Sequence, residues 1–145
     1  MKKVFLDAKV LFTAAHNPEG KAALLFDLAD LGCWSLISCR LACEEARRNL
    51  LIKFPACLDR LEDLLQGMVT VPMARGVSCA LELPDKDKPI FLAAVYGRAA
   101  HLLTGDKTHF GPFMNKATET QGIVIQTVSQ FLFAALNESG DQRKG

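Results

Sequence analysis

Hydrophobic residues along this chain fall into short runs that alternate with longer segments of helical periodicity. The short runs predict five buried strands, at 3–6, 34–38, 68–71, 102–104 and 122–126. The periodic segments predict helices at 8–15, 21–31, 39–54, 58–65, 90–100 and 128–136. Glycine and proline mark the breaks between them, most clearly at 17–20, at 55 and at 84–89.

Strands that alternate with helices predict an α/β fold, in which a parallel sheet is covered by helices on both faces. No repeat, linker or low-complexity stretch divides the chain, so we predict one domain over 1–137 and a polar tail over 138–145.

The bulk composition narrows the functional classes. Half of the 145 residues are hydrophobic, which excludes a disordered chain. With 17 basic and 16 acidic residues the net charge is +1, so any binding of a polyanion must depend on a local cluster or a metal ion.

Five cysteines, an odd number without a CxxC pair, argue against a disulfide framework or a zinc ribbon. Asp7 and Lys9 interrupt the apolar start that would otherwise resemble a signal peptide. No apolar run reaches the roughly 20 residues that a membrane helix needs. We therefore expect a cytoplasmic protein with reduced thiols and no membrane partner.

Acidic residues follow the strands at positions that suggest a common site. Asp7 comes directly after the first strand, and Asp106 after the fourth. Asp87 begins the helix that leads into the fourth strand, and Glu44 or Glu45 lies in the helix after the second. If the sheet winds in both directions from its first strand, Asp7 and Asp106 share one cleft at the carboxyl edge. Clustered carboxylates of this kind are ligands for Mg²⁺ or Mn²⁺.

Each of these acids also has an ordinary structural interpretation. Asp7 and Asp87 can cap the helices that follow them, the latter with Pro89 in the first turn. Asp106 after Gly105 fits a turn, and a glutamate on a helix is usually solvated. The metal site is favoured because independent caps need not fall at one edge of one sheet.

Four segments together resemble a PIN domain, of the bacterial VapC-like kind. They are Val4-Phe5-Leu6-Asp7-Ala8, Glu45-Ala46-Arg47-Arg48-Asn49-Leu50, Asp85-Lys86-Asp87-Lys88-Pro89-Ile90, and Leu102-Leu103-Thr104-Gly105-Asp106 with Phe110. The resemblance implies a three-layer αβα sandwich with a central, mostly parallel five-stranded sheet. It also implies a Mg²⁺- or Mn²⁺-dependent endoribonuclease that cleaves RNA, forms a homodimer and can be the toxin partner of a small antitoxin protein.

Carried over residue by residue, the resemblance assigns the catalytic and metal-binding acids to Asp7, Glu45, Asp87 and Asp106. Glu45 is preferred to Glu44 because Leu50, five positions later, matches the family pattern. Thr104 matches a hydroxyl residue that supports the site by hydrogen bonding.

Two residues depart from the pattern. Lys9 stands where many members have Asn or Asp, and His109 stands near the position of a further acid. His109 could bind metal, contact phosphate or transfer a proton. The alternative to a nuclease is therefore a catalytically weak or inactive module that binds nucleic acid or another protein. Lys9 also disfavours a haloacid dehalogenase-like phosphatase, which carries a second Asp at that place.

Other residues have a functional and a structural interpretation. A phosphate contact or a solvated helix surface would explain Arg40, Arg47, Arg48 and Lys53. Base stacking or core packing would explain Phe110 and Phe113. A subunit or antitoxin interface, or the core, would explain Phe131-Leu132-Phe133.

Overall fold

The computed structural model of the protein describes residues 1–73 and 77–144, with side chains as far as Glu138. The strands are β1 Lys3–Leu6, β2 Ser35–Cys39, β3 Val69–Val71, β4 His101–Leu103 and β5 Val124–Gln126. The α-helices are α1 Ala8–His16, α2 Lys21–Asp30, α3 Arg40–Lys53, α4 Leu58–Gln66, α5 Lys88–Tyr96 and α6 Val128–Lys144. Single 3-10 turns lie at Pro55–Cys57 and Gly111–Phe113.

The five strands form one entirely parallel sheet in the order β3-β2-β1-β4-β5. In the centre, Phe5 of β1 pairs with Ile37 of β2 on one side and with Leu102 of β4 on the other. The chain winds outward from β1 first in one direction and then in the other. β1 and β4 are therefore neighbours, and their carboxyl ends form the topological switch point at which ligands of such sheets bind.

Helices cover both faces of the sheet. Right-handed crossovers put α1 to α4 on one face and α5 on the other. α6 packs beside α2 and so belongs to the first layer. The predicted α/β architecture is confirmed, with a core whose largest fully buried side chains include Phe5, Phe91, Phe110, Leu102 and Ile125.

Most predicted element boundaries lie within two residues of the observed ones, and two helices differ more. α5 ends at Tyr96 rather than at 100, because Gly97 begins the turn into β4 and the N–H of Ala100 already pairs with the carbonyl of Lys3. α6 continues to Lys144, past the predicted end at 136. Part of the predicted tail 138–145 is thus helical, and Gly145 lies outside the described residues.

All five cysteines are free thiols. Cys39 and Cys43 fill buried space, as expected, whereas Cys33 is exposed. No helix in the described part of the chain combines the length and the hydrophobicity that crossing a bilayer requires.

A glycine at the end of α5 allows this helix to lie close to the sheet. A Cβ added to Gly97 would lie 2.9 Å from Ile37 Cδ1 and 2.9 Å from Val71 Cγ1, although its backbone φ of −75° suits any residue. We predict that Gly97→Ala lowers the free energy of unfolding by about 1–3 kcal/mol through overpacking. Urea denaturation would measure the change.

Gly67→Ala is the matched control, because Gly67 ends α4 and its added Cβ meets no atom closer than 3.9 Å. Equal destabilisation by the two substitutions would mean that close packing of α5 against β2 and β3 is not the cause.

Candidate metal centre

A cleft of about 230 Å³, which we call the acidic cleft, lies at the carboxyl ends of β1 and β4. Its lining comprises Asp7, Ala8, Lys9, Glu45, Lys86, Asp87, Asp106, Thr108 and His109. All four acids predicted from the sequence therefore reach one small space. They come from four separate parts of the chain, which the sheet order brings together.

Asp7 lies at the first of these strand ends and is 7% exposed. Its backbone N–H continues the β1–β4 pairing by donating to Leu103 O at 3.0 Å. One carboxylate oxygen accepts a hydrogen bond from the N–H of Ala8 at 2.7 Å, so the expected capping role is real. The other accepts one from the hydroxyl of Thr104, also at 2.7 Å.

The environment of Asp7 is costly for a negative charge. Burial raises its pKa, the hydrogen bonds from Thr104 and Ala8 oppose this only in part, and the charges of Glu45 and Asp87 raise it further. Burial deprives this carboxylate of hydration, and a nearby cation or a bound proton would offset that loss.

Thr104 connects the two strand ends. The residue is 1% exposed, and its hydroxyl donates to Asp7 Oδ2 and accepts the backbone N–H of Asp106 at 2.9 Å. One hydroxyl group thus sets the positions of two acids. These two hydrogen bonds are how Thr104 would support the site, as the resemblance implies.

The two oxygens of Asp106 have different surroundings. Oδ1 accepts the backbone N–H groups of Thr108 at 3.1 Å and His109 at 3.0 Å. Oδ2 lies 2.8 Å from His109 Nδ1. Burial pushes the pKa of Asp106 upward, but the N–H of His109, the charges of His109 and Lys9 and the N–H of Thr108 together outweigh it, so that the pKa is lowered.

Asp87 and His109 complete a tight group with Asp106. Asp87 stands at the N-cap position of α5, yet its side chain makes no capping hydrogen bond. Instead its Oδ2 lies 2.9 Å from His109 Nδ1. Among the described residues, both of these buried atoms lack a hydrogen-bond partner of acceptable geometry. Atoms that are close, polar, buried and not hydrogen-bonded to each other indicate that a further group belongs between them.

A divalent cation fits this group. One ligand atom from each of Asp87, Asp106 and His109 lies within 4.8 Å of the others. Oxygen ligands bind Mg²⁺ at about 2.0–2.1 Å in an octahedron, so neighbouring ligand atoms are about 3 Å apart. Asp7 lies in the same cleft, and its two hydrogen bonds leave free lone pairs, since a carboxylate has about four.

Glu45 and Glu44 are distinguished by the direction in which α3 presents them. Glu45 lines the cleft, and its charge acts on Asp7. Glu44 instead pairs with Arg40, one turn earlier on the same helix, at 3.5 Å. Glu45 is thus the glutamate that the fold brings to the acidic cleft.

Lys9 separates the acidic cleft from a larger one of about 690 Å³ and lines both. Its stem lies against Gly105, where an added Cβ would be 3.3 Å from Lys9 Cβ. The larger cleft carries three more lysines, Lys21, Lys53 and Lys107, together with polar Asn49, Thr127 and Ser129. We call it the lysine cleft. Lys21 and Lys107 were not predicted from the sequence as binding residues, although Lys107 directly follows Asp106.

The remaining side chains largely follow their structural interpretations. Arg47 of α3 makes a two-point ion pair with Glu62 of α4, so it connects the two helices.

The phenylalanines are mostly core residues. Phe110 is fully buried and Phe113 packs against the core. Phe131 and Leu132 are buried as well, the former against Trp34, whereas Phe133 is 69% exposed.

Comparison with known proteins supports the fold. No family model matches the chain, and no curated protein matches its sequence. A chain in the crystal structure of VapBC2 from Rickettsia felis, bound to a DNA fragment from their promoter, is similar with a TM-score of 0.61. The match covers 86% of this chain and 98% of that one, at 11% sequence identity. The predicted α/β fold with a central five-stranded parallel sheet is therefore confirmed, and the likeness is one of architecture.

The buried charge of Asp7 leads to a prediction about stability. With its folded-state pKa raised, Asp7 favours folding when protonated, and this contribution is lost as the pH rises above about 4, the usual value for Asp. In a chelator that removes divalent ions, we expect Asp7→Asn to be more stable than the wild-type protein at pH 7. The advantage should shrink towards pH 4. Thermal or urea unfolding across this range would measure it.

Asp27→Asn removes an exposed carboxylate from α2 and is the control for the loss of one charge. If Asp7→Asn were destabilised to the same extent at every pH, burial of the Asp7 charge would not be a source of strain.

Proposed function

We propose that this protein is a PIN-type, divalent-metal-dependent ribonuclease. The observation that carries the proposal is the group of Asp87, Asp106 and His109, whose ligand atoms converge without hydrogen bonds between them beside the buried Asp7. Such a group fits a cation, and divalent cations at the carboxyl edge of a parallel sheet serve phosphoryl chemistry.

Asp87, Asp106 and Asp7 are the acids that would hold a Mg²⁺ or Mn²⁺ ion, with Glu45 at the exposed side of the cleft. When bound, such an ion lowers the pKa of a coordinated water and offsets the negative charge that develops on a phosphoryl group. Thr104 keeps Asp7 and Asp106 in a fixed relation, and the N–H groups of Thr108 and His109 orient Asp106. These contacts organise the acids before a substrate arrives.

The lysine cleft supports a nucleic acid rather than a small phosphate ester as the substrate. The net charge of +1 provides no general attraction for a polyanion, so four lysines around one cleft are a local concentration of positive charge. Because Lys9 lines both clefts, a strand whose scissile phosphate lies at the acidic cleft could pass its neighbouring phosphates along the lysines.

RNA is the substrate that the PIN resemblance implies, and a toxin role follows from the same source. The similar chain from Rickettsia felis belongs to a VapBC2 complex on promoter DNA, which supports a small antitoxin as the partner of this protein. Exposed apolar side chains at the end of α3, Leu51, Ile52 and Phe54, offer a surface for such a partner. A homodimer remains a prediction from the resemblance.

The first test is cleavage of a labelled RNA by metal-free protein to which Mg²⁺ or Mn²⁺ is returned. We expect cleavage that requires the ion and falls at least about a hundredfold in Asp106→Asn. The amide of Asn keeps an oxygen acceptor for the N–H groups of Thr108 and His109, so the loop should survive. Circular dichroism would verify that the fold is retained.

Glu45→Gln and Glu44→Gln form a matched pair on adjacent positions of α3. We expect the first to weaken cleavage and the second to leave it unchanged. If inducible expression arrests bacterial growth for the wild-type protein but not for Asp106→Asn, the toxin role is supported as well. RNA binding without cleavage under any metal would instead favour the alternative function, an inactive module that binds nucleic acid.

The role of the lysine cleft is tested by binding in the Asp106→Asn background, where the RNA stays intact. Lys53→Ala and Lys107→Ala should each weaken RNA binding and reduce the slope of log affinity against log salt by about 0.7–1. Fluorescence anisotropy over a salt series would measure both effects.

Lys3→Ala is the control, because Lys3 begins β1 at the opposite edge of the sheet and is also exposed. If Lys3→Ala changed the salt slope equally, the lysines would act through the overall charge of the protein and not as a binding site for the RNA strand.

A further inference from the structure

We propose that His109 is a direct nitrogen ligand of the metal ion, through Nδ1, and that it makes the centre prefer transition-metal ions over Mg²⁺. This inference rests on the metal centre of the proposed function and specifies which ion it selects. Purely acidic sites offer oxygen alone, whereas the tight group in this cleft combines two carboxylates with one imidazole.

The position of the imidazole is set by the chain around it. The N–H of His109 donates to Asp106 Oδ1, so the residue is attached to the acid whose other oxygen lies beside its ring. Nδ1 is then 2.8 Å from Asp106 Oδ2 and 2.9 Å from Asp87 Oδ2. One ring atom is therefore brought to both carboxylates at the separation that ligands around one small cation adopt.

Two observations argue that Nδ1 is a ligand and not simply a hydrogen-bond donor. Within the described part of the chain, neither Nδ1 nor Asp87 Oδ2 has a hydrogen-bond partner, although they are in close contact and buried. Asp87 is 8% exposed, so water has little access to it as a substitute hydrogen-bond partner. A cation among these atoms would give both Nδ1 and Asp87 Oδ2 the partner that they lack.

The donor set determines the preference among ions. Mg²⁺ favours oxygen ligands and retains several waters, so an imidazole adds little to its binding. Affinity for a site with a nitrogen ligand rises from Mn²⁺ towards Co²⁺ along the Irving–Williams order. We therefore expect Co²⁺ to bind more tightly than Mn²⁺, and Mn²⁺ more tightly than Mg²⁺.

His109→Asn is the decisive variant, because the amide oxygen can take the place of Nδ1 and replaces a nitrogen ligand by an oxygen ligand. Calorimetric titration of the metal-free protein should show the affinities for Co²⁺ and Mn²⁺ falling at least about tenfold. The affinity for Mg²⁺ should be unchanged or slightly higher. His16→Asn is the matched control, since that imidazole stacks on Phe54 and does not line the acidic cleft.

Pulsed electron paramagnetic resonance of the Mn²⁺-loaded protein gives a direct readout. We expect a ¹⁴N coupling from a coordinated imidazole in the wild-type protein and in His16→Asn, and its loss in His109→Asn. The wild-type spectrum is decisive even if His109→Asn does not fold.

Binding of ions without a ¹⁴N coupling, or equal affinities for Mg²⁺ and Mn²⁺ in the wild-type protein, would overturn the role of His109 and leave the metal centre itself standing. Absence of any binding by the wild-type protein would overturn both the role of His109 and the proposed centre.

Discussion

The mutual repulsion of buried carboxylates at the ends of β1 and β4 is the constraint around which this domain is organised. Asp7, Asp87 and Asp106 each have less than a tenth of their surface exposed, and Glu45 adds its charge from α3. Removing such groups from water costs free energy that hydrogen bonds repay only in part. Part of this cost is offset by the nearby hydroxyl, N–H groups, imidazole and lysine. A bound cation would offset the rest.

The topology explains why the acids meet. In the order β3-β2-β1-β4-β5, the chain leaves β1 in both directions, so that Asp7 and Asp106 follow adjacent strands. The loop after β4 then turns back through the hydrogen bonds of Asp106, which brings His109 to the same space. Right-handed crossovers bring α3 with Glu45 from one face and α5 with Asp87 from the other. The four acids are far apart in sequence, and the strand order together with the crossover helices makes them neighbours.

Lys9 and His109, the two residues that depart from the PIN pattern, both line the acidic cleft but differ in their contacts. Lys9 lies against Gly105 between an acidic and a basic cleft, where its charge lowers the pKa of Asp106. His109 contributes the only nitrogen to the tight group of ligand atoms found among the described residues. Both residues add a positively charged or neutral partner to a crowded set of negative charges. Both lie inside the acidic site and leave its four carboxylates in place.

Local patterns in the sequence determined the strands, most helix boundaries and the places of Asp7 and Asp106 at strand ends, because hydrophobic periodicity and strand ends are short-range properties. The meeting of these two acids depended on the strand order. Tertiary contacts decided the rest. The approach of Gly97 to Ile37 and Val71 belongs to the packing of α5 on the sheet. Glu45 differs from Glu44 only through the direction in which the packed α3 presents each residue, and Arg47 is occupied by Glu62 of another helix. The lysine cleft unites residues from five segments of the chain. No local pattern encodes such a convergence, because it arises only when the whole sheet and its helices are assembled.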